Sequence, residues 1–214
     1  MPIYTFRRKL RELTQTFNVY HYQQYMSLIV APTRKRAFDE LKLTNETKLL
    51  EVGVGNGSSL EFFPAGIQIT GIDFSATLIE QARIRAKELQ MSRARFYVMN
   101  AQNLRPLESN SFDAVVSLSL LSVVPEPEKA FSEMVRVCRP GGKIAVTSHF
   151  LHKSGWRKSV DQILSPAVES ILGYHVTLPE ELIVARKDLR VLVREDRRIG
   201  PYVMNSVFVV EKLN

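Results

Sequence analysis

Leu49-Leu50-Glu51-Val52-Gly53-Val54-Gly55-Asn56-Gly57-Ser58-Ser59-Leu60 is the stretch on which the reading of this chain turns. The run over 48–54 is apolar on both parities, the pattern of a parallel strand buried on both faces. It breaks into Gly55, Asn56 and Gly57, and a short helical pattern over 57–63 follows. Glycines here allow a sharp turn and bring bare backbone N–H groups against a ligand, at the positive end of the following helix. The spacing Gly53-x-Gly55-x-Gly57 is not the GxGxxG of dinucleotide-binding turns. A second apolar run, 67–72, ends at Asp73. An acid about twenty residues beyond such a turn is placed to take the ribose hydroxyls of a nucleoside ligand. Strand, glycine turn, helix, strand and acid, in this order, predict a nucleoside-binding α/β domain.

Outward from this core the segments alternate. Ser75 is the candidate N-cap of a helix carrying Leu78, Ile79, Ala82, Ala86 and Leu89 on its inner face. Strands are expected at 95–99, at 112–118 after the turn-forming Ser109-Asn110-Ser111, and at 143–148. A helix over 126–138 precedes the last of these and stops at Arg139-Pro140-Gly141-Gly142. Residues 151–187 read as helices broken at Pro166, Gly173 and Pro179. Two strands, 189–197 and 203–211, are joined through Gly200-Pro201, too short a connection for anything but an antiparallel hairpin. The expected fold is therefore α/β: a Rossmann-like, doubly wound sheet of seven strands, mostly parallel, with an antiparallel C-terminal edge hairpin and added N-terminal helices. One domain over 1–214 accommodates it, with N-terminal amphipathic or lid helices over 1–46. The ligand-binding core follows at 47–150, substrate-side helices at 151–187 and the hairpin at 188–214.

The 214 residues carry a formal net charge of +7, which points to an anionic partner. The first segment indicates which kind. Ile3, Phe6, Leu10, Leu13, Phe17 and Tyr20 recur at helical spacing, and Arg7, Arg8, Lys9 and Arg11 flank them. A helix so divided lies in a lipid headgroup layer or packs on the domain as a lid, and the net charge favours the anionic membrane surface. No recognised nucleic-acid motif accompanies the charge, so no nucleic-acid partner is expected. Oligomeric state leaves no mark in the sequence. The single cysteine, Cys138, excludes a disulfide framework and a cysteine-built metal site. His21, His149, His152 and His175 are scattered without ligand spacing, so no metal is expected. No run reaches spanning length and no signal-peptide pattern opens the chain. The expected location is cytoplasmic, peripherally associated with the membrane.

With these segments in place the chain resembles the class I S-adenosylmethionine-dependent methyltransferases. Glu51-x-Gly53-x-Gly55-x-Gly57 is similar to the family's first motif, and Gly71-Ile72-Asp73-Phe74-Ser75 to its acidic second-strand motif. Asn100-Ala101-Gln102 stands at the adenine-contacting segment, Ser111–Ser117 at the fourth strand, and Arg139-Pro140-Gly141-Gly142 at the turn before the fifth. A nearer resemblance is to the bacterial phospholipid N-methyltransferases acting on phosphatidylethanolamine, relatives of the ubiquinone and menaquinone C-methyltransferases. It is carried by Leu49–Gly55, by Leu121-Ser122-Val123-Val124-Pro125-Glu126-Pro127-Glu128, and by His149-Phe150 with the basic stretch that follows and Leu172-Gly173. This chain has Asn100 where that family often has an acid.

The resemblance implies S-adenosyl-L-methionine as cofactor, S-adenosyl-L-homocysteine as product and no metal. Glu51, Gly53, Gly55, Asn56 and Gly57 then surround its methionine moiety, and Asp73 takes the ribose diol. Phe74 packs on the adenine face, while Asn100, Ala101 and Gln102 address the adenine edge. Ser117 and Leu118 line the sulfonium end, at the carboxyl end of their strand. His149, ending a strand at the pocket mouth and titrating near neutrality, is the candidate to assist proton loss from an acceptor amine. Tyr20, Tyr22 and Tyr25 are candidates to surround the growing ammonium, and Arg157 and Lys158 to hold a lipid phosphate. Acceptors left open are phosphatidylethanolamine with its methylated intermediates, towards phosphatidylcholine, and a quinone-type or other small lipophilic molecule.

Overall fold

The computed structural model describes residues 32–64, 66–148, 150, 178–199 and 202–214. Thr33–Asn214 form one compact unit. Its centre is a seven-stranded sheet: β1 Lys48–Val52, β2 Gln68–Asp73, β3 Arg95–Val98, β4 Phe112–Leu118, β5 Cys138–Ser148, β6 Leu189–Ile199 and β7 Tyr202–Lys212. The spatial order is β3-β2-β1-β4-β5-β7-β6. β1 to β5 pair in parallel, whereas β7 is antiparallel to both β5 and β6. The expected α/β sheet with its antiparallel closing hairpin is the observed architecture.

Alternation along each strand divides the core in two. Leu50, Val52, Val115, Ile144, Val146, Phe208 and Val210 pack on one face with the helix α3, Pro127–Val137. That helix has Pro127 in its first turn and buries Ala130, Phe131, Met134, Val135 and Val137. Leu49, Val116, Ala145, Val207 and Val209 pack on the other face, under α1 (32–41) and α2, Ala76–Glu88. Ser75 caps α2, its Oγ accepting from the N–H of Leu78 at 3.3 Å. Ile79, Ala82 and Ala86 are the buried residues of α2, with Leu78 and Leu89 only half-buried at its margins. α1 is fixed across the sheet by Lys143, whose ammonium donates to the Glu40 carbonyl at 2.6 Å, and by Asn205, which donates to Thr33 Oγ1 at 3.4 Å.

Three expectations about elements need correction. The helix expected over 57–63 is a single 3-10 turn, Leu60–Phe62. Phe63 is already extended (φ −97°, ψ 149°), as the residue before a proline tends to be, and Pro64 follows. The helix before β5 ends at Val137 and β5 begins at once at Cys138. The Arg139–Gly142 turn is looped out of the ladder, so that Phe112 pairs with Cys138 and Ala114 with Lys143. The helices expected over 151–177 lie outside the described residues, and the expected helix beyond Pro179 is present as α4, Glu181–Val184. β6 and β7 each run beyond the expected bounds, to Ile199 and from Tyr202 to Lys212.

Candidate functional site

The parallel strands end together at one edge of the sheet, where open α/β sheets hold their ligands. β1 runs there into the glycine turn. Gly55 has φ +56°, and a Cβ built on it meets nothing within 4 Å among the described residues, which leaves this face of the turn open on their side. At Gly53, φ +82°, a Cβ would fall 2.9 Å from Leu120, which holds the turn against the end of β4. Most of the donors expected to face a ligand are used within the fold. The N–H groups of Gly53 and Val54 both reach the Ile72 carbonyl, at 2.8 and 2.9 Å. Gly57 N–H bonds the Val54 carbonyl at 3.0 Å, and Ser58 N–H the Asn56 side chain at 3.2 Å. The three-residue 3-10 turn supplies no helix dipole of consequence. Most of the turn's N–H groups are thus engaged within the fold, and the turn offers a ligand close approach at Gly55.

Asp73 ends β2 beside that opening. Gly55 N–H donates to its Oδ2 at 3.0 Å and Ser75 N–H to its Oδ1 at 2.9 Å, so both oxygens are oriented and each retains acceptor capacity. Phe74 is 80% exposed beside it, a free aromatic face at the same edge. Met99 N–H bonds the Asp73 carbonyl at 2.9 Å and brings the next segment alongside. There Asn100 Oδ1 accepts from Gln102 N–H at 2.9 Å, and Ala101 is buried. The Gln102 side chain turns to α3, its Oε1 accepting from Glu126 N–H at 2.8 Å. Glu126 N–H is thus satisfied at the start of that helix, and Gln102 holds the segment in place.

Glu51 faces inward. It is 1% exposed and its Oε2 accepts from Ser59 Oγ at 2.8 Å, which ties β1 to the chain beyond the glycine turn. Burial pushes its carboxyl up to about 7, against the opposing effects of the Ser59 hydrogen bond and the nearby Arg34. Arg34, in the first turn of α1, has its Nε sealed from solvent without a partner. Ser117 Oγ, at the end of β4, and Thr147 Oγ1 and Ser148 Oγ, at the end of β5, are also buried and have no partner among the described residues. Leu118 is half-buried, and Ser119 beyond it takes φ +65°, a left-handed conformation that costs a serine roughly 1–3 kcal/mol. Orphaned hydroxyls and backbone strain thus collect at the edge that carries Asp73.

The structure brings Gly53, Gly55, Asn56, Gly57, Asp73, Phe74, Asn100, Ala101, Gln102, Ser117 and Leu118 to one edge, with Glu51 beneath. His149, Tyr20, Tyr22, Tyr25, Arg157 and Lys158 lie outside the described residues. Arg34, Ser119, Thr147 and Ser148 were not read as site residues. A sequence signal existed for Arg34, since Arg34, Ala37, Phe38 and Leu41 make a helical stripe. Among the described residues no group of three His, Cys, Asp or Glu side chains converges, and no helix is long and apolar enough to cross a membrane.

A concavity of ≈ 320 Å³ lies at the opposite edge, lined by Lys48, Gln68, Ile69, Thr70, Arg93, Arg95 and Phe112. It sits at the amino ends of the strands and contains no acid to take a ribose. Its guanidinium groups are also partly occupied, Arg93 by the Asn45 and Gly66 carbonyls. The carboxyl edge, with its oriented acid and open glycine, is the candidate site.

Comparison with known proteins agrees with this geometry. The family described as "Methyltransferase domain" matches residues 50–146. A phosphatidylethanolamine N-methyltransferase of Cereibacter sphaeroides is 38% identical over 155 residues, 72% of this chain and 74% of its own. A thiol S-methyltransferase of Rattus norvegicus is 29% identical over 67% of this chain, and a demethylmenaquinone methyltransferase of Paenarthrobacter aurescens 29% over 76%. The chain spans less than two thirds of these last two, 62% and 63%. Among solved structures, the [4+2]-cyclase SpnF superposes with TM-score 0.67 and 24% identity over 84% of this chain and 80% of its own, a likeness of fold. The open face of Gly55, the oriented Asp73 carboxylate and the exposed ring of Phe74 fit the nucleoside of the cofactor such enzymes use. The chain belongs to the class I S-adenosylmethionine-dependent methyltransferases.

Proposed function

We propose that this methyltransferase acts on phosphatidylethanolamine and its mono- and dimethyl forms, towards phosphatidylcholine, at an anionic membrane surface. The observation that carries the reading is the 38% identity to a phosphatidylethanolamine N-methyltransferase across 72% of the chain. The net charge of +7 and the basic amphipathic stripe over 3–20 support the membrane surface as its partner.

When bound, the cofactor supplies a methyl carbon already activated by a sulfonium, so the protein's work is positioning and charge management. Asp73 holds the ribose diol, Phe74 covers the adenine, and Ala101 with the backbone ordered by Asn100 borders its edge. Gly55 admits the methionine end, and Ser117 and Leu118 line the side from which the acceptor comes. An ethanolamine nitrogen arrives protonated, with a pKa near that of lysine, ~10. His149 accepts that proton before attack. Tyr20, Tyr22 or Tyr25 would face the methylated ammonium, which favours successive transfers, and Arg157 and Lys158 would hold the lipid phosphate.

A methylation assay run lipid by lipid, with anionic vesicles present and a labelled cofactor methyl, tests the reading. Label is expected in mono-, then di- and trimethylated phosphatidylethanolamine. The identity to a demethylmenaquinone methyltransferase supports a second reading, C- or O-methylation of a quinone-type acceptor. Label in a quinone fraction and none in phospholipid would replace the first reading with the second. Cofactor binding without label in any acceptor would point to a non-catalytic module.

A further inference from the structure

Arg34 makes no hydrogen bond or ion pair with any described residue, although its Nε is shielded from water. α1 packs onto the chain beyond the glycine turn, Phe38 meeting the rings of Phe62 and Phe63 at 6.0 and 4.9 Å. Ala37 and Leu41 share a core with Val54, Leu60 and Phe63. Arg34 lies one helical turn before Phe38 on the same stripe, and it feels the charges of Glu51 and Glu61. Neither acid pairs with it. Glu51 is bonded to Ser59, and Glu61 is bridged by Arg85 at 3.1 Å. A guanidinium cannot shed its proton, so a half-buried one beside a ligand edge calls for an anion.

The cofactor carries one anionic group, the α-carboxylate of its methionine moiety. The glycine turn has little to offer it, because the N–H groups of Gly53, Val54, Gly55 and Gly57 are already bonded, no cationic side chain stands in the turn and only a 3-10 turn follows. We propose that Arg34 binds this carboxylate, so that a side chain of α1 supplies the positive charge the turn lacks. Glu51 does not oppose it at full charge, since burial keeps its carboxyl close to half protonated near pH 7. The proposal rests on the cofactor placement given above and is independent of the acceptor.

The test compares calorimetric affinities for S-adenosyl-L-homocysteine and for its decarboxylated analogue, in wild type, Arg34→Met, Arg34→Lys and Asp73→Ala. Arg34→Met is expected to lose about 10- to 100-fold on S-adenosylhomocysteine, the scale of a charge-assisted pair, and under about 3-fold on the analogue. Arg34→Lys keeps the charge without the fork and is expected to fall between, again on the carboxylate-bearing ligand alone. Asp73→Ala is expected to weaken both ligands alike. Equal losses on the two ligands in the Arg34 variants, or none on either, would overturn the role of Arg34. Undiminished binding by Asp73→Ala would instead overturn the cofactor placement itself. Arg34→Lys decides the matter by the same comparison should Arg34→Met fail to fold.

Discussion

Glu51 and Asp73 end neighbouring strands two positions apart in the ladder register, and the fold gives them opposite tasks. Asp73 keeps both oxygens at the open edge, whereas Glu51 lies sealed beneath α1. The consequence for Glu51 is a pH-dependent stability. Its carboxyl is pushed from 4.5 to about 7 in the fold, so between those values the folded chain holds a proton that the unfolded chain has released. The associated stability is present below about pH 4.5 and is lost as pH rises through 7. Glu51→Gln retains an acceptor for Ser59 and removes the titration. Urea unfolding should find the variant gaining on wild type between pH 5 and 8, by on the order of 3 kcal/mol. Parallel stability curves would mean that Glu51 stays ionised in the fold. Asp73 was legible from its place at a strand end and Ser75 from its place before a helical stripe. The burial of Glu51 was not, because in an apolar strand a covered acid and a ligand-facing one leave the same pattern. The covering helix comes from elsewhere in the chain.

At the scale of elements, α3 anchors the segment proposed to border the adenine. Arg136 donates to the Leu104 and Leu107 carbonyls at 2.8 and 3.0 Å, and to Glu133 at 2.7 Å. Glu133 accepts from Leu104 N–H at 2.6 Å, and its carboxyl is held below the usual range chiefly by the Arg136 hydrogen bond. Glu133→Ala leaves Leu104 N–H and Arg136 without this partner. It should lower unfolding stability by about 1–3 kcal/mol in urea titration and also weaken cofactor affinity; a loss under about 0.5 kcal/mol would show the anchor to be dispensable. The parallel strands were readable because runs such as 48–52 and 112–118 are apolar on both parities. The helix over 57–63 was misread because six residues between Gly57 and Pro64 leave space for only one tight turn. The loop at Arg139–Gly142 looked like a gap between elements. It is a bulge within β5, a distinction set by pairing to β4 that no local pattern carries.

The unit Thr33–Asn214 places the candidate ligand edge at the carboxyl ends of β1 to β5, in a sheet whose β5 side is closed by β7 and β6. The basic stripe read in the sequence over 3–20 is the part of the proposal that concerns a lipid surface. Deleting residues 1–16 should reduce sedimentation with anionic liposomes at low salt, and wild-type sedimentation should fall as salt rises. Undiminished, salt-insensitive sedimentation would favour the lid over the membrane anchor. The carboxyl edge as the cofactor site underlies every role proposed above. Amide hydrogen exchange with and without saturating S-adenosylhomocysteine tests that directly. Exchange should slow in peptides covering 53–60, 71–78 and 99–103 and stay unchanged around Gln68 and 93–95. Protection confined to the amino edge, with none at Gly53–Leu60 or Asp73, would contradict it.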